Sequence, residues 1–178
     1  MSKRSIFPLV LVELRPSAIS AGGIGVFAVD NIRHETYIFD GVHIEDFSEI
    51  TPWSVYESLD TATKKKVIDF CVGTPDGFIA PENNNFNELS IEWYLNHSCD
   101  GNVAFDINGD FVAARDIHAG EELSYDYGLV ESNPKFRMEC TCGYIACRKV
   151  ITGEDWKILR QDPKIAVQMH PFLRERIL

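Results

Sequence analysis

Short apolar runs separated by glycine and polar turns dominate this chain. The segments FPLVLVEL (7–14), GVFAV (25–29) and TYIFDGVHI (36–44) are rich in Val, Ile, Phe and Tyr. Such residues fit a pleated, half-buried surface, so three strands are predicted. The texture changes at TPWSVYESLD, where Thr51 and Pro52 suit the N-cap and first turn of a helix. TATKKKVIDF continues that pattern, and residues 51–70 are predicted as one helical insert. PENNNFNE (81–88) is expected to be a polar loop with Asn as turn former. Strands return at NVAFDI and DFVAARDI, joined by an Asn108-Gly109 hairpin turn, and again in HAGEELSYDYG after a turn at Ala119-Gly120. Thr152 and Asp155 form a T-x-x-D helix start, and Asp162-Pro163 opens a final short helix.

Paired short strands with one helical insert define a mainly β, β-rich α+β fold of several small sheets. At 178 residues the chain suits one domain with room for a small appended module. No internal repeat or low-complexity run interrupts it, and no run of 18 apolar residues is present. Lys3 and Arg4 before IFPLVLV loosely imitate a secretory signal. Pro8 inside the run, and Glu13 and Arg15 soon after it, argue against one. The expectation is a cytoplasmic or nuclear protein without a signal peptide.

The formal net charge of −10 changes the choice of partner. It disfavours direct nucleic-acid binding, which wants a basic face, and suits a basic peptide or protein drawn in by long-range attraction. Simple solubility explains the same charge.

Five cysteines in such a chain point to metal or catalysis before disulfides. Cys71, in DFCVG, stands alone and is expected to be a buried small hydrophobe. Cys140, Cys142 and Cys147 put three thiols within eight residues, with Gly143 allowing the backbone to turn. A structural zinc site wants four ligands, so one must come from a distance. Cys99 is the best candidate, with His118 and His170 as competitors. A redox dithiol or three unrelated buried cysteines are the plain alternatives.

Asn96 and His97 precede Cys99 with Ser98 between, and SYDYG (124–128) puts Tyr125 and Tyr127 on one face of a strand with Asp126 on the other. Each piece alone is unremarkable, since two stacked tyrosines are usually packing. Gly23-x-Gly25-x-x-Ala28 superficially matches a dinucleotide fingerprint, but strand residues follow it where a helix is required.

In combination these motifs resemble the SET-domain protein-lysine methyltransferases. GGIGVFA is similar to their Gly-x-Gly motif, LNHSCDGN to their Asn-His-Ser-Cys-x-x-Asn motif, GEELSYDYG to their Glu-Leu-x-x-Asp-Tyr motif, and CTCGYIAC to their post-SET zinc tail. The resemblance implies a SET domain over 1–132, a post-SET zinc segment over 133–153 and a helical tail over 154–178. It also implies knot-like threading of the Asn-His segment and S-adenosylmethionine as methyl donor. Gly23, Ile24 and Gly25 would meet the donor's amino-acid end, and Asn96 and His97 its amine and adenine. Tyr127 would be the catalytic tyrosine beside the methyl group, and Tyr125 a Phe/Tyr switch that sets the methylation state. Cys99, Cys140, Cys142 and Cys147 would share one structural zinc.

The implied partner is a protein or peptide with a lysine in a basic segment, a histone among the candidates, and no membrane. The alternative is a catalytically inactive SET-fold binding or scaffold protein. Trp93 stands where the family commonly has Arg, and Phe39-Asp40-Gly41 where it often has Tyr-x-Gly. Nothing in the family pattern accounts for the 51–70 insert. The chemistry requires no aspartate base, and none stands out.

Overall fold

A computed structural model of the protein describes residues 10–41 and 50–175. Its strands are short and fall into four small sheets, as the alternation of apolar runs and turns predicts. The two outer ends of the predicted FPLVLVEL and TYIFDGVHI strands, residues 7–9 and 42–44, lie outside the described residues, as does the Lys3-Arg4 segment.

Strand β1 (Val12–Pro16) pairs antiparallel with β2 (Ile24–Ala28), from Val12 opposite Ala28 to Pro16 opposite Ile24. A second sheet orders β3 (Tyr37–Phe39), β9 (Phe111–Ala113) and β8 (Val103–Phe105). A third orders β4 (Thr51–Pro52), β6 (Gly77–Ile79) and β5 (Val72–Gly73). The chain reaches the cysteine cluster through β11 (Arg137–Glu139), which pairs antiparallel with β12 (Val150–Thr152).

The first sheet carries the crossing on which the site depends. Strand β10 (Glu122–Tyr125) pairs antiparallel with β2 on one side. On its other side it pairs in parallel with the two-residue strand β7 (Asn96–His97), Ser124 opposite Asn96 and Tyr125 opposite His97. The Ser98 and Asn102 amides extend the grip by donating to the Tyr125 and Ser124 carbonyls, both at 3.0 Å. Asn102 closes it with its side chain, which accepts from the Ser124 amide and donates to the Glu122 carbonyl, both at 2.9 Å. Gly101 makes this approach possible, because a Cβ there would sit 2.7 Å from the Tyr125 Cα.

The insert departs from the predicted single helix. Thr51 and Pro52 form β4 against Gly77 and Phe78 instead of capping. Helix α1 (Trp53–Ser58) starts without a side-chain cap, and the chain breaks at Leu59–Asp60 before α2 (Thr61–Phe70). The cap belongs to Asp60, whose carboxylate accepts from the Ala62 and Thr63 amides at 2.9 and 3.1 Å. An extended Asp that satisfies two orphan amides ends one helix and starts the next.

The Asn108-Gly109 turn is part of a five-residue loop, 106–110. There the Asp106 carboxylate accepts from the Asn108 and Asp110 amides at 2.7 and 3.0 Å. Tyr127 lies beyond the end of β10, in a 3-10 turn (Tyr127–Leu129) that Asp126 caps through the Gly128 amide at 2.9 Å. Helix α3 (Trp156–Leu159) follows the Thr152–Asp155 hydrogen bond of 2.6 Å. Helix α4 (Pro163–Ala166) starts at Asp162 as predicted, but α5 (Pro171–Glu175) comes after it. The tail is part of the core, since Met169, Phe172 and Leu173 are buried with Val26, Leu123, Val103 and Ile117.

Gly101→Ala is expected to lower unfolding stability by about 2–3 kcal/mol, because the added methyl meets backbone that cannot rotate away. Urea denaturation checks this; an unchanged midpoint would show that the crossing tolerates separation.

Candidate functional site

Tyr127 stands between two pockets. On one side Leu95, Phe105, Phe111, Tyr125 and Tyr127 line a mainly apolar channel that Phe70 at the end of α2, and Cys71 and Val72 after it, help to wall. On the other, Asn96, His97 and Tyr127 face Ile19, Ser20 and Met138–Thr141. The crossing of β7 and β10 explains the division: Leu95 faces one pocket and its neighbours Asn96 and His97 the other. The Tyr127 hydroxyl donates to the Leu95 carbonyl at 3.1 Å. Its ring lies 4.9 Å from that of Tyr125 and 5.2 Å from that of His97. Burial pushes both phenol pKa values well above the ordinary range, so both hydroxyls stay protonated at neutral pH.

Tyr125 packs edge-on against Phe105 and Phe111, at 5.7 and 5.4 Å between ring centroids. Cys71 is half-buried at the channel wall instead of lying in the core. Burial pushes its thiol up to about 12, which leaves it an unreactive thiol at neutral pH. Trp93 contributes to the channel, whereas Phe39, Asp40 and Gly41 line a separate groove that Trp93 also borders.

The glycine turn is organised by a residue the sequence did not single out. Glu122 accepts from the Ser17 hydroxyl at 2.7 Å, from the Ala18 and Ile19 amides at 2.7 and 3.2 Å, and from the Asn96 side-chain amide at 2.9 Å. Asn96 donates as well to the Ile24 carbonyl at 2.9 Å. Gly25 makes room for this carboxylate, since a Cβ there would lie 2.2 Å from Oε1. Of the 19–25 segment, Ile19 and Ser20 line the pocket, and Gly23, Ile24 and Gly25 are not among its lining residues. The only sequence signal for Glu122 was its place inside GEELSYDYG.

The four cysteines Cys99, Cys140, Cys142 and Cys147 come together, their Sγ atoms all within 4.8 Å of one another. Cys99 lies 3.9 Å from the Cys140 sulfur and 4.0 Å from that of Cys147. Four thiolates around zinc at about 2.3 Å stand about 3.8 Å apart, so the cluster could hold such an ion with little adjustment. His118 is exposed, and His170 is buried against Phe105 and Phe172; neither belongs to the cluster. Burial lifts the Cys140 thiol to about 12. For Cys142 burial acts in the same direction, but the Tyr144 and Cys99 amides and the flanking thiols outweigh it and bring that thiol down to about 6.

His97 joins cluster and pocket. The Tyr127 amide donates to its Nδ1 at 3.1 Å, and its Nε2 lies 3.5 Å from the Cys99 sulfur. Burial lowers its pKa to about 4 despite Asp126 nearby, so the ring is neutral, with its proton assigned to Nε2. Arg148 is a second joint that sequence reasoning missed. It donates twice to the Asp126 carboxylate at 2.6 Å, and its Nε lies 2.9 Å from Asp155. A lone arginine after the last cysteine carries no signal until the fold brings both acids to it.

The SET domain family matches this chain over residues 23–128. The chain belongs to that family, and its small sheets and crossed motifs are a SET fold. "Histone-lysine N-methyltransferase TRX1" of Oryza sativa subsp. japonica is 39% identical over 85 residues, 44% of this chain and 8% of the relative. "Histone-lysine N-methyltransferase ash1" of Drosophila melanogaster is 35% identical over 85 residues, 44% of this chain but 4% of its own length. "Probable histone-lysine N-methyltransferase set-23" of Caenorhabditis briggsae is 29% identical over 149 residues, 78% of this chain and 60% of the relative. The chain thus spans a small fraction of the first two relatives and a little over half of the third.

Cys99→Ser is expected to reduce zinc affinity by at least about tenfold and to loosen the segment from Cys140 onward. Zinc retention against a chelator and amide exchange over 137–152 check both; unchanged retention would place the fourth ligand elsewhere.

Proposed function

We propose that this chain is a protein-lysine N-methyltransferase that uses S-adenosylmethionine and carries one structural zinc on Cys99, Cys140, Cys142 and Cys147. The observation that carries this reading is the position of Tyr127, shared by an apolar channel and a mixed polar pocket. The polar pocket suits the methyl donor: Ile19 and Met138 offer apolar surface, and Ser20, Asn96 and Thr141 offer hydrogen bonds. The Asn96 amide nitrogen is already committed to Ile24 and Glu122, which leaves its carbonyl oxygen for the donor's ammonium. When bound, the donor supplies an electrophilic methyl group on a positively charged sulfur.

The rest of the chemistry belongs to the chain. Transfer needs a neutral amine, whereas free lysine titrates near ~10.4. The walls formed by Phe105, Phe111 and Tyr125 penalise the ammonium and so lower that value. Narrow aromatic walls also align the amine for in-line attack. The Tyr127 hydroxyl, fixed by the Leu95 carbonyl, presents an oriented dipole where the two pockets meet. Because that phenol stays protonated, it orients and polarises and does not act as a base.

The net charge of −10 favours a basic substrate segment, and the relatives' names make histones the first substrates to try, which would put the protein in the nucleus or cytoplasm. Among the described residues no helix is long and apolar enough to cross a membrane.

Labelled methyl donor with an array of basic peptides, read by mass spectrometry, tests the activity. Tyr127→Phe is expected to slow transfer by about 100-fold or more while zinc content and unfolding midpoint stay unchanged. Full activity in that variant would remove Tyr127 from the chemistry, and no methylation of any peptide by the wild-type protein would leave a scaffold role. Tyr125→Phe is expected to shift the product toward higher methylation, since it frees space beside Phe105 and Phe111 in the channel. An unchanged product distribution would contradict a switch role.

A further inference from the structure

We propose that Glu131 is the docking partner for the ε-ammonium of the incoming lysine, an inference that rests on the apolar channel being the lysine site. Glu131 lines that channel together with Tyr125 and Tyr127, yet it is only 5% exposed. Its amide donates to the Tyr127 carbonyl at 2.7 Å, which ties it to the turn that holds the tyrosine.

The carboxylate is held from two sides. The Gly73 amide donates to Oε2 and the Asn133 amide to Oε1, each at 2.8 Å. Gly73 has to be glycine for this contact, because a Cβ would come within 2.6 Å of Oε1. In return the Gly73 carbonyl accepts from the Ser132 amide at 2.9 Å. Strand β5 and the segment after Tyr127 therefore clamp the side chain in one orientation.

The Gly73, Asn133 and Ser132 amides fill only part of a carboxylate's accepting capacity. Among the described residues, no lysine, arginine or histidine forms an ion pair with it. A buried carboxylate without a counter-cation is costly, and burial, opposed by the amides, holds its pKa up at about 7. The natural cation for a channel of this shape is the substrate's own ammonium. A purely structural role, bridging β5 and the turn, explains the amide bonds but not why an acid without a counter-cation stands in the channel wall. The carboxylate favours the charged amine, so its task is capture and registration of the side chain, and the aromatic walls of Phe105, Phe111 and Tyr125 favour the neutral amine that reacts.

The test compares binding of two forms of the best-methylated array peptide, one with the target lysine and one with norleucine in its place. Calorimetry is done in S-adenosylhomocysteine, whose sulfur is uncharged. The wild type is expected to prefer lysine, and Glu131→Gln to cut the lysine-to-norleucine affinity ratio by about tenfold or more. A bridge that only holds the loop would weaken both peptides alike, so an unchanged ratio in a folded variant overturns the proposal.

If Glu131→Gln does not fold, the wild-type ratio between pH 8.5 and 5.5 decides. It is expected to fall on acidification as the carboxylate takes up its proton, and a constant ratio overturns the proposal. The other ionisable groups around the channel are Asp69 at the end of α2, Cys71, Glu92, Tyr125, Tyr127 and the neighbouring Asp126. The substitution of Asp69 or Glu92 by its amide should leave that pH dependence in place; its disappearance in either variant overturns the assignment to Glu131. Failure of every array peptide to be methylated removes the methyltransferase reading, and this inference with it. Methylation with no lysine preference removes only the role of Glu131.

Discussion

The parallel pairing of Asn96 and His97 with Ser124 and Tyr125 is the constraint on which the rest of the site depends. Two residue pairs are a small ladder, and parallel pairing closes a long loop at an entropic cost. The fold secures it with backbone bonds from Ser98 and Asn102, with the Asn102 side chain, and with a glycine at the point of closest approach. The crossing sends Leu95 to one side and Asn96 and His97 to the other, with Tyr127 just past it. A single local geometry thus divides the interior into two pockets that share one phenol.

A polar network makes the crossing rigid and links it to the cysteines. Asp126 caps the turn that holds Tyr127 and takes both ends of the Arg148 guanidinium, which also reaches Asp155. Arg148 directly follows Cys147, so ordering of the thiolates also orders the arginine. Bidentate, half-buried pairs of this kind hold geometry better than they add stability, because desolvation offsets much of the attraction. His97 closes the circuit, with Nδ1 on the Tyr127 amide and Nε2 toward Cys99. In this arrangement a metal on the four cysteines would bear on the phenol through two independent routes.

Much of this was legible in the sequence because the motifs are dense in unusual residues. Cys99 was picked out because three nearby thiols lacked a fourth, and the four sulfurs meet. The strands were legible from their β-branched and aromatic runs. The insert is not one helix although Thr51-Pro52 looks like a helix start, because sheet pairing claims those residues and Asp60 makes the better cap. Tyr127 was expected on the strand face, but the Asp126 cap turns the chain one residue earlier. Glu122, Arg148 and Glu131 were invisible as individuals: each is a common charged residue whose meaning comes from partners 26, 22 and 58 positions away.

The central claim is that donor and lysine enter from opposite sides of Tyr127. Amide chemical-shift mapping on labelled protein tests it directly, with S-adenosylhomocysteine and a lysine peptide added separately. The donor analogue should shift Ile19, Ser20, His97 and Met138–Thr141, and the peptide should shift Phe70–Val72, Phe105 and Phe111, with Tyr127 responding to both. Overlapping shifts from both ligands on one side of Tyr127, with the other side silent, would contradict a two-sided site.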